Sequence, residues 1–425
     1  MLIKLVPLTR VTQTFGTTRT FVTTPGAGLV EAPRLVSTGN HVNRRSLEEV
    51  GERMVKIRFC DDTSSKYPYV WLRENCQCPS CFNSDAVARL FLTDDLDLHV
   101  RPKDIQVCDG SLEVVWNDEH TSRYTGEWLY QRAFTPQARQ LQRSSYRLSR
   151  MMWGSEFEVP RIDYRSAMEK DETMLELLVL LERYGVVILT EASTRLGSLI
   201  DMIERIGFVK PTHYGKDYQL KAVVSPNNLA YTGSKLGLHS DLPYTQDPPG
   251  TTWLHCIHQH EGKGGDNTVS DGAKGVSILK ERHPDHYNTL LHTPIYFQDQ
   301  GFHTYDFYKI TKRNTITLDE EGQLNQIYIS SQSRDSMMDL DPEQVYDFYV
   351  ALKVFNDILI EHGITIKTKS GEILALDNTR LLHGRKSFDP ATTIGFRHMH
   401  NAYIDWDDLR SKRRLLQSSM GVSLT

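Results

Sequence analysis

Three cysteines within six residues, Cys76, Cys78 and Cys81 in ENCQCPSCF, constrain this chain more tightly than any other stretch. Thiolates crowded on one short turn can converge on one ion, and tetrahedral zinc then requires one further ligand. The remaining three of the six cysteines, Cys60, Cys108 and Cys256, stand alone, which is the pattern of a metal site and not of a disulfide scaffold. His120, just after the strand-like run LEVVW, is the attractive fourth ligand, with His99 and Cys108 as competitors. A closed four-ligand Zn(II) site is structural and would staple a small amino-terminal domain over residues 52–145. Reduced thiols without a metal are the plainer alternative.

The segment ahead of that domain is different in kind. The first thirty residues contain no acid, only the bases Lys4, Arg10 and Arg19, and many threonines. That composition fits a mitochondrial transit peptide, so residues 1–50 are expected to be an import signal or a disordered tail, with folded structure from near Val55. No apolar run approaches the roughly 20 residues that span a bilayer. The most apolar stretch, LELLVLLERYGVVILT, is broken by Glu182, Arg183 and Gly185. A net charge of −5 without a long basic stripe speaks against nucleic acid and membrane surfaces as partners and leaves small-molecule chemistry as the default.

A polar link, QRSSYRLSR, separates the zinc region from a larger part over residues 150–425. Residues 168–184 read as an amphipathic helix feeding the strand VVIL. A second helix is marked by Asp341 as cap, Pro342 in the first turn and Gly363 at the stop. The short strands ITIKT, EILALD and the approach to RLLHGR follow, divided by the turn KSGE. The expected fold class is mainly β with helical decorations: a jelly-roll catalytic domain, or double-stranded β-helix, behind the small zinc domain.

Within it, LGLHSDLPY places His239 and Asp241 two apart, so on an extended chain both side chains point the same way. RLLHGR supplies a third group, His383. Two histidines and one carboxylate on one face of an octahedral ion leave three positions open, the arrangement of non-haem Fe(II) oxygenases. Singly, Asp241 reads as a turn cap before Pro243 and His383 as a core histidine. Arg397, 14 residues past His383, changes the balance. An oxygenase of this type holds a dicarboxylate cosubstrate, and a guanidinium fork suits its far carboxylate. Asn267 or Thr268, after the Gly-rich turn GKGGD, is placed to add a hydrogen bond.

WLRENCQCPSC, WNDEH, WGSEFEVP, NNLAYT, LHSDLPY followed by PPG, RLLHGR and RHMHNAYIDWD together resemble the 2-oxoglutarate-dependent dioxygenases of carnitine biosynthesis, the γ-butyrobetaine/trimethyllysine family, over essentially residues 55–415. The resemblance implies Fe(II) on His239, Asp241 and His383, 2-oxoglutarate on Arg397, zinc on Cys76, Cys78, Cys81 and His120, ascorbate as reductant, and a homodimer. It implies hydroxylation of γ-butyrobetaine at C3 to L-carnitine, with trimethyllysine hydroxylation as the alternative.

A trimethylammonium group has no N–H to donate and is best held by aromatic faces. Tyr214, Tyr218, Tyr231 and Tyr403 match the family's cage, although Tyr218 stands where the best-known members carry tryptophan. Asn228 matches a residue that contacts the substrate carboxylate. A second family asparagine is replaced, by alignment of YISSQSRD, with Ser331, which is shorter and donates a single hydrogen bond. Two rival classes remain on these residues: a Zn(II) hydrolase on the same three ligands, which has no use for Arg397, and a zinc-domain binding protein carrying an inactive dioxygenase fold.

Overall fold

The computed structural model describes residues 47–221, 232–260, 262–388 and 397–422. Its amino-terminal part holds two three-stranded antiparallel sheets. The strands Leu47–Val50, Met54–Arg58 and Ser64–Pro68 form one, and Pro102–Cys108, Ser111–Trp116 and Thr121–Thr125 form the other. Alternation along each strand sends Val55, Ile57, Tyr67, Leu112, Val114, Trp116 and Tyr124 into one shared core.

Folded structure therefore begins before Val55. The strand Leu47–Val50 is polar and half exposed, so it carries no burial pattern. It is held by its ladder to Met54–Arg58 and by Glu48, whose carboxylate meets Lys56, Arg58 and Ser64.

The larger part is built on two sheets. A six-stranded sheet runs Asp217–Lys221, His398–Ile404, Thr251–His258, Ile373–Asp377, Val186–Thr190 and Arg161–Asp163. A four-stranded antiparallel sheet runs Leu236–His239, Leu381–Arg385, Asn267–Asp271 and Ile364–Ile366. Period-two alternation explains why they face each other. Val186, Ile188, Leu254, Cys256, Leu374, Leu376 and Met399 point inward and meet Val269, Ile366 and Leu381 of the smaller sheet. The intervening residues Val187, Leu189, Trp253, Ile373, Ala375 and Ala402 point outward, under the helices Asp171–Tyr184, Ser198–Ile206 and Trp406–Met420. Mostly sheet with some helices is the class expected from the sequence.

The helix expected over 168–184 is interrupted. Lys170 adopts an extended conformation between Tyr164–Glu169 and Asp171–Tyr184. The first helix is capped by Asp163, which accepts from Ser166, and the second opens on Asp171 and Glu172, whose charges favour a helix amino terminus. The helix Pro342–Glu361 stands as expected, with a capping box between Asp341 and Gln344.

Arg380 locks the small sheet to the helical layer. Its guanidinium makes a two-pronged contact with Asp271 at 2.8 and 2.7 Å and donates to the carbonyls of Arg183 and Met151, each at 2.6 Å. Among the described residues no helix is long and apolar enough to cross a membrane.

Candidate functional site

Leu236–His239 and Leu381–Arg385 are antiparallel neighbours, and their register sets His239 directly opposite His383. The two rings lie 4.4 Å apart. Asp241 follows two residues later, with its Oδ1 at 3.5 Å from His239 Nε2 and 3.6 Å from His383 Nε2. Ligand bonds of about 2.1 Å at right angles place neighbouring donors about 3.0 Å apart, so the three groups stand close to the spacing an octahedral ion requires. His239 Nδ1 faces the Gly237 carbonyl at 2.9 Å. That oxygen can only accept, so the proton belongs on Nδ1 and Nε2 is left as the ligand atom.

Several features aim Asp241. Its N–H donates to Asn378 Oδ1 at 2.7 Å, and Asn378 Nδ2 donates to the Asp241 carbonyl at 3.1 Å. The next residue, Leu242, has a φ of 55°, a left-handed conformation that branched side chains rarely adopt. Burial acts to raise the Asp241 carboxyl, but His383 and His239 hold it down at about 2. His383 is pulled down to about 4 by burial. His383 is thus the neutral imidazole beside that carboxylate; burial acts to lower His239 as well, but its contacts with Asp241 and the Gly237 carbonyl raise it, and a metal ion on Nε2 would take the place of that proton.

Gly384, beside His383, packs directly against both neighbouring strands. A Cβ there would lie 2.6 Å from the Leu236 carbonyl and 2.9 Å from Thr268 Oγ1.

A cavity of about 310 Å³ opens over the triad and reaches Arg397, Asn267, Tyr214, Tyr218 and Tyr403. Arg397 is 6% exposed. It donates to Asn267 Oδ1 at 3.2 Å, its Nε has no partner, and no ion pair neutralises it among the described residues. Burial pulls its guanidinium down to about 10. An enclosed cation of this kind is a site for an anion from outside the chain.

The same cavity carries an aromatic wall. Tyr214 and Tyr218 are stacked at 4.5 Å, and Tyr403 lies 5.9 Å from Tyr218. The remaining cage and carboxylate candidates, Tyr231 and Asn228, lie outside the described residues.

One expectation is overturned. Ser331 is exposed and does not line the cavity, whereas its neighbours Ser330, Gln332 and Ser333 do. Ser330 Oγ accepts from the Ser333 N–H at 3.2 Å and its carbonyl from the Arg334 N–H at 3.1 Å, a turn that rotates residue 331 outward. Asn378, Asn401, Asp299 and Ser330 were not singled out from the sequence. Buried amides and single polar residues carry no spacing signal that could have found them.

The amino-terminal cluster gathers as its spacing implied. His120 Nε2 lies 3.3, 3.6 and 3.6 Å from the sulfurs of Cys76, Cys78 and Cys81. Bonds of about 2.3 Å to sulfur and 2.0 Å to nitrogen at tetrahedral angles separate S and N by about 3.5 Å, so the four donors suit a tetrahedral ion. The competitors His99 and Cys108 are not part of this group. Asp118 aligns the fourth donor by accepting from the His120 N–H at 2.9 Å and from Arg73 at 3.0 Å.

The family model described as taurine catabolism dioxygenase TauD, TfdA family matches residues 139–403. A model described as gamma-butyrobetaine hydroxylase-like, N-terminal, matches residues 45–130. Gamma-butyrobetaine dioxygenase of Homo sapiens is 37% identical over 86% of this chain and 95% of its own length. The protein of that name from Pseudomonas sp. (strain AK-1) is 31% identical over 85% and 94%. Mitochondrial trimethyllysine dioxygenase of Gallus gallus is 28% identical over 85% and 86%.

Proposed function

This chain belongs to the TauD, TfdA dioxygenase family, and from that membership we propose that it hydroxylates γ-butyrobetaine at C3 to give L-carnitine, consuming 2-oxoglutarate and O₂. It is a non-haem iron, 2-oxoglutarate-dependent dioxygenase. The observation that carries the substrate assignment is a single cavity holding the His239–Asp241–His383 triad, the buried Arg397, which has no ion pair among the described residues, and the stacked tyrosines. The higher identity to gamma-butyrobetaine dioxygenases than to trimethyllysine dioxygenases, 37% against 28%, favours butyrobetaine.

His239, Asp241 and His383 would hold Fe(II), whose chemistry when bound is to couple oxidative decarboxylation of 2-oxoglutarate to succinate with insertion of oxygen into a C–H bond. The chain supplies binding and position. Arg397 meets the distal carboxylate of 2-oxoglutarate, with Asn267 holding the guanidinium in place. Tyr214, Tyr218 and Tyr403 present ring faces to the trimethylammonium group, an attraction of about 0.5–2 kcal/mol per site, and Tyr231 is assigned to the same cage from the sequence alone. Burial holds the Tyr218 and Tyr403 hydroxyls far above the ordinary tyrosine range, so both stay neutral beside the substrate's cation. Asn228 and Ser330, in the role first given to Ser331, are read as the partners of the substrate carboxylate.

The facing sheets support reading the catalytic unit as a jelly roll, with the zinc domain before it bound through Cys76, Cys78, Cys81 and His120. Ascorbate is the expected reductant of the iron. Exposed Tyr308 and Ile310 on the hairpin of Ile295–Phe302 and Asp306–Arg313 support a homodimer, and the acid-free amino terminus supports mitochondrial import.

The test is succinate formation by purified protein with Fe(II), 2-oxoglutarate, ascorbate and O₂, comparing γ-butyrobetaine, trimethyllysine and no substrate. Stimulation by γ-butyrobetaine with equimolar carnitine is expected. Stimulation by trimethyllysine alone would move the protein to the sister activity.

A further inference from the structure

We infer that Tyr218 is a positioning residue for Asp241, acting through the hydroxyl of Tyr403, in addition to its place in the aromatic wall. The inference rests on reading His239, Asp241 and His383 as the metal site.

The geometry fixes the direction of a hydrogen-bond chain. Asn401 Oδ1 accepts from the Thr252 hydroxyl at 3.3 Å, and Asn401 Nδ2 donates to the Tyr218 oxygen. An amide N–H₂ can only donate, so the Tyr218 oxygen accepts there and spends its one proton elsewhere. The Tyr403 oxygen is 2.7 Å away. Tyr403 in turn faces Asp241 Oδ2 at 3.3 Å, and an ionised carboxylate can only accept. Every proton in the series therefore points the same way, from Asn401 through Tyr218 and Tyr403 to Asp241.

The register explains why the parts meet. Tyr218 lies opposite Asn401, and Thr252 opposite Tyr403, across adjacent strands of the six-stranded sheet. The consequence falls on the two oxygens of Asp241: Oδ1 faces both histidines, and Oδ2 is held by Tyr403. The carboxylate is thereby presented to an ion through one oxygen. A residue with a ring but no hydroxyl at position 218 would still stack on Tyr214 and would leave Tyr403 free to rotate away from Asp241. Headgroup wall and metal ligand are thus one hydrogen-bonded unit.

Titration of the metal-depleted full chain with Mn(II), which reports metal affinity without turnover, separates this role from packing. Hydrogen-bonding partners of metal ligands are worth about 10- to 100-fold in affinity, so Tyr403→Phe should weaken Mn(II) at least about 10-fold and Tyr218→Phe by several-fold. Because Tyr218 acts through Tyr403, Tyr218→Phe should change nothing further in the Tyr403→Phe background. An unchanged Mn(II) dissociation constant in Tyr218→Phe, or effects of the two substitutions that simply add, would overturn the inference. The reading of the triad is checked separately. Mn(II) binding by the parent chain that survives His239→Ala would sink the metal site itself.

Discussion

His239 and His383 are brought face to face by strand register, although 144 residues separate them in the chain. Their ligand atoms are set by backbone pairing, while Asp241 depends on Asn378 and the turn at Leu242. Asp241→Ala should leave the strand pairing intact and abolish catalysis. The expected outcome is loss of succinate formation by at least about 1,000-fold, since the ion loses its charged ligand, with a far-ultraviolet circular dichroism spectrum like that of the parent. Retained turnover would remove Asp241 from the centre.

Arg397→Met keeps the bulk and deletes the charge. A hydrogen bond to a charged group contributes about 1.5–3 kcal/mol, so the KM for 2-oxoglutarate should rise about 10- to 150-fold. The KM for γ-butyrobetaine should move far less. Steady-state kinetics in each substrate decide it, and a selective rise in the butyrobetaine KM would assign Arg397 to the other ligand.

For the amino-terminal cluster, Cys81→Ser should reduce zinc content by about one ion per chain, because a tetrahedral structural site needs all four donors. Metal analysis by mass spectrometry together with thermal unfolding measures both effects. An ion held there would substitute for core in a small unit, so the unfolding midpoint should fall with the zinc. Full zinc occupancy in the serine variant would point to a metal held elsewhere.

Arg380 and Asp271 are both completely buried and answer each other's charge. Removing one partner leaves the other uncompensated, so Arg380→Met should destabilise by about 3–5 kcal/mol. Urea denaturation reads this directly. A loss below about 1 kcal/mol would mean that water enters and solvates Asp271.

His213 and His255 are fully buried, and burial pulls each down to about 4 from an ordinary value of 6.5. Both stay neutral in the fold while the unfolded chain takes up protons below 6.5. Their contribution to stability is therefore complete above pH 6.5, declines as pH falls toward 4, and levels off below that. Each costs up to about 1.4 kcal/mol per pH unit in that window. Urea midpoints at pH 7.5 and 5 should show the decline, and His213→Gln should flatten it. An identical slope in that variant would exclude His213 as a source.

The sequence disclosed those parts of the site whose chemistry imposes a spacing. His239 and Asp241 sit two apart on a strand, three cysteines crowd one turn, and a cation beyond His383 answers a dicarboxylate. It concealed the parts decided by local hydrogen bonding. Ser331 and Ser330 are indistinguishable as letters, and only the turn closed on Ser330 Oγ determines which faces the cavity. Lys170 ends a helix because Asp163 and Asp171 each start one, a competition that apolar periodicity does not register. The strand Leu47–Val50 escaped because a half-exposed edge strand need not be apolar. Asn378 and Asn401 act through amides, which any loop or strand can carry.

Gly384 touches no ligand atom, yet its missing side chain decides how closely the strands of His239 and His383 approach. Even alanine there would press on the Leu236 carbonyl and part the two imidazoles. For anyone reshaping this pocket toward another cation, freedom to vary lies along the tyrosine wall, whereas the least negotiable position is the one with nothing to offer the substrate.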